Sequence, residues 1–344
     1  MKKWYEKVSE QSDIYVASRV RLVRNLKDYV FPCKLSDVAK IGLTATLQKG
    51  CEGLDEVTAC ALHGSTFEGV SQMQKIALKE RRIINKSILQ KEHPMGLLVA
   101  EDESVSMVFN GDDHIRMQVS MPGLQIEDAW RMANQIDDFL NQKFEYAFDE
   151  RFGYMTTFPT NAGTGMRGYL LLHLPFLAAN DGIKELAREM SRYGLVIQGA
   201  FGELDDNPGD VFVLSNQKTL GLSEKDIVEV LVKIAAHFER QELKIRTQAL
   251  KKQSIQLQDR IYKSYGILKY AKTLETAEAL NCLSSIRCGI YNGLIEMVEP
   301  LNCYGLMIEV QDANLQVLFD KPMGQERLTQ ARCEYIQKRL PELV

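Results

Sequence analysis

The chain has 344 residues, 45% apolar and 26% charged, with 42 basic against 46 acidic side chains and a formal net charge of −4. That length fits two domains of about 150 residues each, and the apolar share excludes wholesale disorder. The near balance of charge gives no general drive toward nucleic acid or an anionic membrane.

The cysteines are Cys33, Cys51, Cys60, Cys282, Cys288, Cys303 and Cys333. Their number is odd and no two form a CxxC pair, so neither a disulfide framework nor a zinc site is indicated. No apolar stretch follows the N-terminal lysines, and no apolar run reaches the ~18 residues of a membrane span. A cytoplasmic protein is the expectation.

Residues 13–22 alternate as a strand, with Tyr15, Ala17, Arg19 and Arg21 on one face and Val16, Ser18, Val20 and Leu22 on the other. Residues 34–93 are mixed, with a helix expected near 70–89. Residues 97–100 and 104–109 then read as a hairpin, and 114–121 as a third strand. Helical spacing runs over 125–146 through Ile126, Ala129, Met132, Ala133, Ile136 and Leu140. Residues 154–158 read as a short strand before the loop 159–165, and 195–201 and 210–215 as two more strands. Ser223 and Asp226 form a capping box that opens a helix. Helical patterns dominate from there to the C-terminus, with a strand signal at 306–310. The fold class is α+β: an antiparallel sheet flanked by helices over 1–250, then a smaller, mostly helical domain over 251–344.

Walker, GxGxxG, HExxH and GxSxG signatures are absent. Chemistry must come from arginines beside acidic or glycine-rich loops. Arg19 and Arg21, two apart on a strand, share a face where two guanidinium groups can grip polyphosphate; a solvated strand face gives the same pattern. Asn110-Gly111-Asp112-Asp113-His114-Ile115-Arg116 sets a carboxylate pair beside an arginine; it also reads as an ordinary hairpin turn, with His114 a structural hydrogen-bonder. The small residues of 159–165 let backbone approach a ligand before Arg167, or simply link strand to helix. His173 sits among leucines as a buried, satisfied side chain. Gly199 to Asp206 is a glycine-flanked acidic loop, suited to a cationic substrate or to plain solvation.

Together and in this order, these segments resemble the phosphagen (guanidino) kinases, and among them the bacterial protein arginine kinases. The resemblance rests on Ala17-Ser18-Arg19-Val20-Arg21-Leu22-Val23-Arg24-Asn25, on Asn110 to Arg116, on Phe158 to Arg167, on Gln198 to Glu203, and on Ser215 to Glu224. It continues through residues 259–266 and 283–290, which look like the arginine kinases' helical C-terminal domain, a dimerisation and phosphoarginine-binding module. It implies transfer of the ATP γ-phosphate to protein arginine with Mg2+. Nucleotide contacts would come from Ser18, Arg19, Val20, Arg21, Arg116, Arg167, Gly199 and Gly202, and the acceptor guanidinium would be gripped by Asp112 and Glu203. It further implies arginine-bearing client proteins, a zinc-binding activator protein, a Clp protease and a homodimer, with no nucleic acid or membrane partner.

The chain departs from the family pattern at sensitive places. The base glutamate is Asp112, one methylene shorter, preceded by Gly111; a shift of about 1 Å can cost on the order of 100-fold in rate. A fifth phosphate arginine is Gln198, the reactive cysteine is Phe158, and the C-terminal R-D-x-x-R motif reads Arg327-Leu328-Thr329-Gln330-Ala331-Arg332. A second expectation therefore stands beside the kinase: a catalytically silent homologue that binds nucleotide or arginine-bearing proteins as a regulator.

Overall fold

The computed structural model describes residues 2–7 and 13–344. Eight strands form one antiparallel sheet: β1 (Tyr15–Arg24), β2 (Leu62–Thr66), β3 (Gly96–Ala100), β4 (Val105–Phe109), β5 (Ile115–Pro122), β8 (Met166–His173), β9 (Leu195–Gly199) and β10 (Val211–Asn216). Their spatial order is β2-β3-β4-β5-β1-β8-β10-β9; β6 (Phe148–Asp149) and β7 (Gly153–Tyr154) make a separate small ladder. The helices of the first two thirds are α1 (Asp37–Gly50), α2 (Leu54–Thr58), α3 (Gln72–Glu80), α4 (Lys86–Leu89), α5 (Ile126–Asn141), α6 (Pro175–Ala179), α7 (Gly182–Arg192) and α8 (Glu224–Lys252). Beyond them lie α9 (Ser254–Tyr270), α10 (Thr276–Tyr291), α11 (Cys303–Glu309), α12 (Asp312–Leu318) and α13 (Gln325–Gln337).

Period-two alternation sorts each central strand into two faces. Val20, Leu22, Met117, Val119, Leu170 and Leu172 pack with Ile126, Ala129, Ile136 and Leu231 of α5 and α8 in the main core. The opposite face carries Ala17, Leu171 and Val211 into a second core, shared with Trp4, Tyr5 and the helices α9 to α13. That second core stops where the arginines of the same face begin.

The hairpin β3–β4, strands β5, β9 and β10, helix α5 and the Ser223 cap lie where the sequence places them; Ser223 Oγ accepts from the Asp226 N–H. Five expectations are corrected. A bulge between Tyr15 and Ala17 moves Tyr15 to the main core and Val16 to the second, because one extra residue reverses every side chain before it. The helix expected near 70–89 is two short helices broken at Arg82, which adopts φ +64°. Within the mixed stretch, α1 and β2 are regular elements. Of the expected strand 154–158 only Tyr154 pairs, in β7 (Gly153–Tyr154). Residues 306–310 belong to helix α11 and its C-cap, where a short apolar run broken only by Glu309 does not distinguish strand from helix.

Candidate active site

Register places three arginine-bearing strands side by side. Arg19 stands opposite Ser120 of β5 and Tyr169 of β8, and Arg21 opposite Gln118 and Arg167. Arg116 lies one row further along β5, opposite Val23. Alternation turns all four arginines to the face away from α5.

Their partners are few and neutral. Arg19 Nε donates to Ser120 Oγ at 2.9 Å, Arg21 Nη2 to Asn161 Oδ1 at 2.8 Å, and Arg116 Nη1 to Gln118 Oε1 at 3.2 Å. The Nε atoms of Arg21, Arg116 and Arg167 are buried with no partner. Among the described residues none of the four is in an ion pair, although Arg19, Arg21 and Arg116 are each less than a tenth exposed. Burial, then repulsion from Arg82, lowers Arg19 to about 10; burial, then repulsion from Arg21, lowers Arg116 to about 10. Both remain protonated at neutral pH. Burial pushes the Tyr169 phenol up, but Arg21, Arg167, Arg116 and Arg19 together outweigh it and the net shift is downward. Buried positive charge of this density without counter-charge is costly, and a polyanion removes the cost.

Arg24 shows the contrasting case. Its guanidinium donates to Asp137 at 2.6–3.1 Å and to the Val23 and Thr164 carbonyls at 2.9 Å, and lies 3.5 Å from the Tyr154 ring centroid. Its Nη2 also lies 3.6 Å from Glu224 Oε1, so Arg24 is fully engaged with the fold and holds structure.

The loop Pro159 to Gly165 caps one end of the face. Gly163 and Gly165 take φ +101° and +64°, and a Cβ on Gly163 would sit 2.7 Å from Leu220 Cα, so only glycine fits there. This fold-back delivers Asn161 to Arg21. Phe158, where the resemblance puts a cysteine, is 46% exposed. At the other end, β9 leads into the acidic loop. A Cβ on Gly199 would meet Gly202 O and, at 2.7 Å, Asn207 Oδ1; one on Gly202 would collide with Asp206 O. Both glycines serve the fold of this loop. Glu203 is exposed upon it. The loop's far end is tied to α10, Gly209 N–H donating to Asn281 Oδ1 at 2.9 Å and Ser284 Oγ to Asp210 Oδ2 at 2.6 Å.

Asp112 Oδ1 accepts from Ser87 Oγ at 2.8 Å and lies 3.0 Å from Lys91 Nζ. Asp113 is a brace: it accepts from Asn25 Nδ2 and the Thr157 N–H, both at 2.7 Å, and burial raises its carboxyl. His114 is structural, as the sequence suggests. Its Nδ1 accepts the Leu26 N–H at 3.0 Å, so Nε2 carries the proton and donates to Val30 O at 3.1 Å. Burial lowers it to about 4, leaving it neutral. His173 is likewise buried, its Nε2 2.8 Å from Ser284 Oγ.

The structure therefore brings Arg19, Arg21, Arg116 and Arg167 together and leaves two expected residues out as side chains. Val20 points into the main core. Ser18 Oγ donates to Gly123 O at 2.8 Å and accepts the Gln125 N–H at 2.9 Å, on the far side of the sheet. Residues missed by the sequence reading are Tyr169, Gln118, Asn161 and Arg82. Tyr169 and Gln118 lie two residues beyond Arg167 and Arg116 on their strands, and Asn161 lies in the small-residue loop before Arg167, so all three were within reach; Arg82 comes from a distant segment.

Unpaired arginines spread over an antiparallel sheet, beside two glycine-shaped loops, define a protein that handles a polyanion such as a nucleotide's phosphates. The ATP:guanido phosphotransferase C-terminal catalytic domain matches residues 47–245, and the protein-arginine kinase McsB C-terminal domain matches 254–343. A protein-arginine kinase of Brevibacillus brevis is 35% identical over 98% of this chain and 94% of its own length. One of Syntrophomonas wolfei is 36% identical over 96% and 93%. The crystal structure of lombricine kinase shares the fold, with a TM-score of 0.56 at 18% identity over 72% of this chain and 70% of that one. The chain belongs to the ATP:guanido phosphotransferases. Within them it is a member of the protein-arginine kinase family.

Proposed function

We propose that the protein transfers the γ-phosphate of ATP to arginine side chains of proteins. The observation that carries this reading is the sheet face of Arg19, Arg21, Arg116 and Arg167, three of them buried and, among the described residues, none in an ion pair. Phosphoryl transfer needs little covalent help from the protein; positioning and neutralisation of spreading charge supply most of the rate. Guanidinium groups that stay charged and are already desolvated act without rearrangement at the moment of reaction. Among the described residues no cluster of three or more His, Cys, Asp or Glu side chains stands where it could hold a metal. By family resemblance Mg2+ would enter on the nucleotide's phosphates, where the ion adds further neutralising charge.

The acceptor guanidinium must be oriented and must lose a proton before its nitrogen attacks. Asp112 and Glu203 are proposed for this work. Lys91 and Ser87 fix Asp112 through Oδ1, leaving Oδ2 outside those bonds, and Glu203 rides on the loop that α10 anchors. Catalytic and C-terminal units divide near residue 250 in this reading, between the two family matches, while α8 runs on to Lys252. A cytoplasmic setting is supported by seven unpaired cysteines. A homodimer, a zinc-binding activator protein and a Clp protease complete the proposal by family resemblance. In the C-terminal unit, Arg327 is paired with Glu334 at 2.7 Å and the buried Arg332 with Asp312, Val310 O and Leu274 O.

The test is mass spectrometry for phosphoarginine, after incubation with Mg-ATP and an arginine-rich unfolded protein at neutral pH. A product absent with Glu203→Ala establishes the kinase. No product, with ATP binding intact by calorimetry, identifies the silent homologue instead.

A further inference from the structure

The turn between α3 and α4 carries Arg82, which no motif includes. Its backbone is left-handed, φ +64°, a conformation that favours glycine or asparagine and is strained for most other residues. The turn is held on both sides. Gln118 Nε2, on the arginine face, donates to Arg82 O at 2.6 Å. Two residues back, Glu80 accepts the N–H groups of Ala313 and Asn314 at 3.2 and 2.8 Å.

So fixed, Arg82 reaches across to the other flank of the site. Nη2 donates to Ala200 O at 2.7 Å, and the guanidinium lies 5.6 Å from the Phe201 ring centroid. Ala200 follows Gln198 by two residues, on the same side of the chain. Arg82 Nε is buried with no partner, and no ion pair involves Arg82 among the described residues. Its charge also bears on Arg19. The family pattern puts an arginine at 198, where this chain has neutral glutamine.

We infer that Arg82, delivered from the α3–α4 turn, is a phosphate ligand of the nucleotide site and replaces the positive charge missing at Gln198. The inference rests on the nucleotide-dependent kinase reading above. A polar spacer would account for the Ala200 contact, but not for a full charge left unpaired at a backbone position that disfavours arginine.

Four proteins test it: wild type, Arg82→Asn, Gln198→Arg and the double variant. Each is assayed for phosphoarginine formation, Mg-ADP affinity by calorimetry and thermal midpoint. Asparagine tolerates the left-handed backbone, so the Arg82→Asn midpoint should hold or rise while kcat/KM falls by roughly 10²-fold or more and Mg-ADP binds about tenfold more weakly. Gln198→Arg should raise kcat/KM far more in the Arg82→Asn protein than in wild type, since the two charges serve one purpose. Unchanged activity and Mg-ADP affinity in Arg82→Asn overturn the inference, as does an equal effect of Gln198→Arg in both backgrounds. If wild type makes no phosphoarginine yet Mg-ADP affinity still depends on Arg82, the phosphate ligand stands and the kinase reading falls.

Discussion

Replacing Arg116 by methionine should stabilise the nucleotide-free protein while disabling it. Methionine keeps most of the length and apolar contact of the arginine stem. Burial and the neighbouring Arg21 lower Arg116 from 12.5 to about 10; at 1.36 kcal/mol per unit, its charged form costs on the order of 3 kcal/mol in the fold. The single hydrogen bond to Gln118, at 3.2 Å, offsets about 1 kcal/mol. Removing the charge should therefore yield about 2 kcal/mol. At roughly 2.1 cal/mol/K per residue of unfolding entropy, that is a rise of about 3 °C in the thermal midpoint. Differential scanning fluorimetry with and without Mg-ATP reads the effect. Wild type should gain about 2.7 kcal/mol at a hundredfold excess over Kd and the variant far less, so the order of midpoints inverts. Phosphoarginine formation should fall by roughly 10³-fold. A nucleotide-free variant melting several degrees below wild type would refute the argument, because it would mean that Arg116 is already compensated.

The opposite outcome is expected for Asp137→Asn, which leaves the buried Arg24 charge with Glu224 alone, at 3.6 Å; loss of about 3 kcal/mol should appear in denaturant unfolding with or without nucleotide. Glu242 is buried, accepts the Phe176 and Leu177 N–H groups at 3.1 and 2.8 Å, and faces Arg246 and Asp13. Burial raises its carboxyl to about 7 against those hydrogen bonds. The native state then holds the proton that the unfolded chain releases near 4.5, so this group's stabilisation is complete below 4.5 and is lost as pH rises through 7. Unfolding free energies of wild type and Glu242→Gln should diverge across pH 5–8, wild type losing more as pH rises; a constant difference would count against it.

Much of the site was legible because period-two alternation is local. Arg19 and Arg21 needed only each other to announce a shared face, whereas Arg167 came from the loop motif and the resemblance, because no strand was read over the apolar run that forms β8. The Tyr15 bulge was not legible, because an extra residue is decided by pairing with Leu171 and Leu172 about 150 residues away. Arg82 stayed hidden for the same reason: its partners Gln118, Ala200 and Arg19 are separated from it in sequence, and the helical pattern over 70–89 ran through the turn that exposes it. Ser18 shows the reverse error. It lies inside the most specific motif, yet alternation sends its hydroxyl to the wrong side of the sheet for ligand contact.

Helix α8 has 29 residues, about 43 Å at 1.5 Å each. It begins beside the sheet, where Trp130 Nε1 donates to Glu224 at 2.8 Å, and ends against α9. The second core, meanwhile, mixes Val16, Ala17, Leu171 and Val211 of the sheet with α9 to α13. A gene fragment stopping at residue 250 would follow the family boundary yet uncover four apolar sheet side chains and release Gly209 and Asp210 from α10. An inactive fragment of that kind would report a collapsed floor under Glu203, and would say nothing about whether the C-terminal helices contribute chemistry of their own.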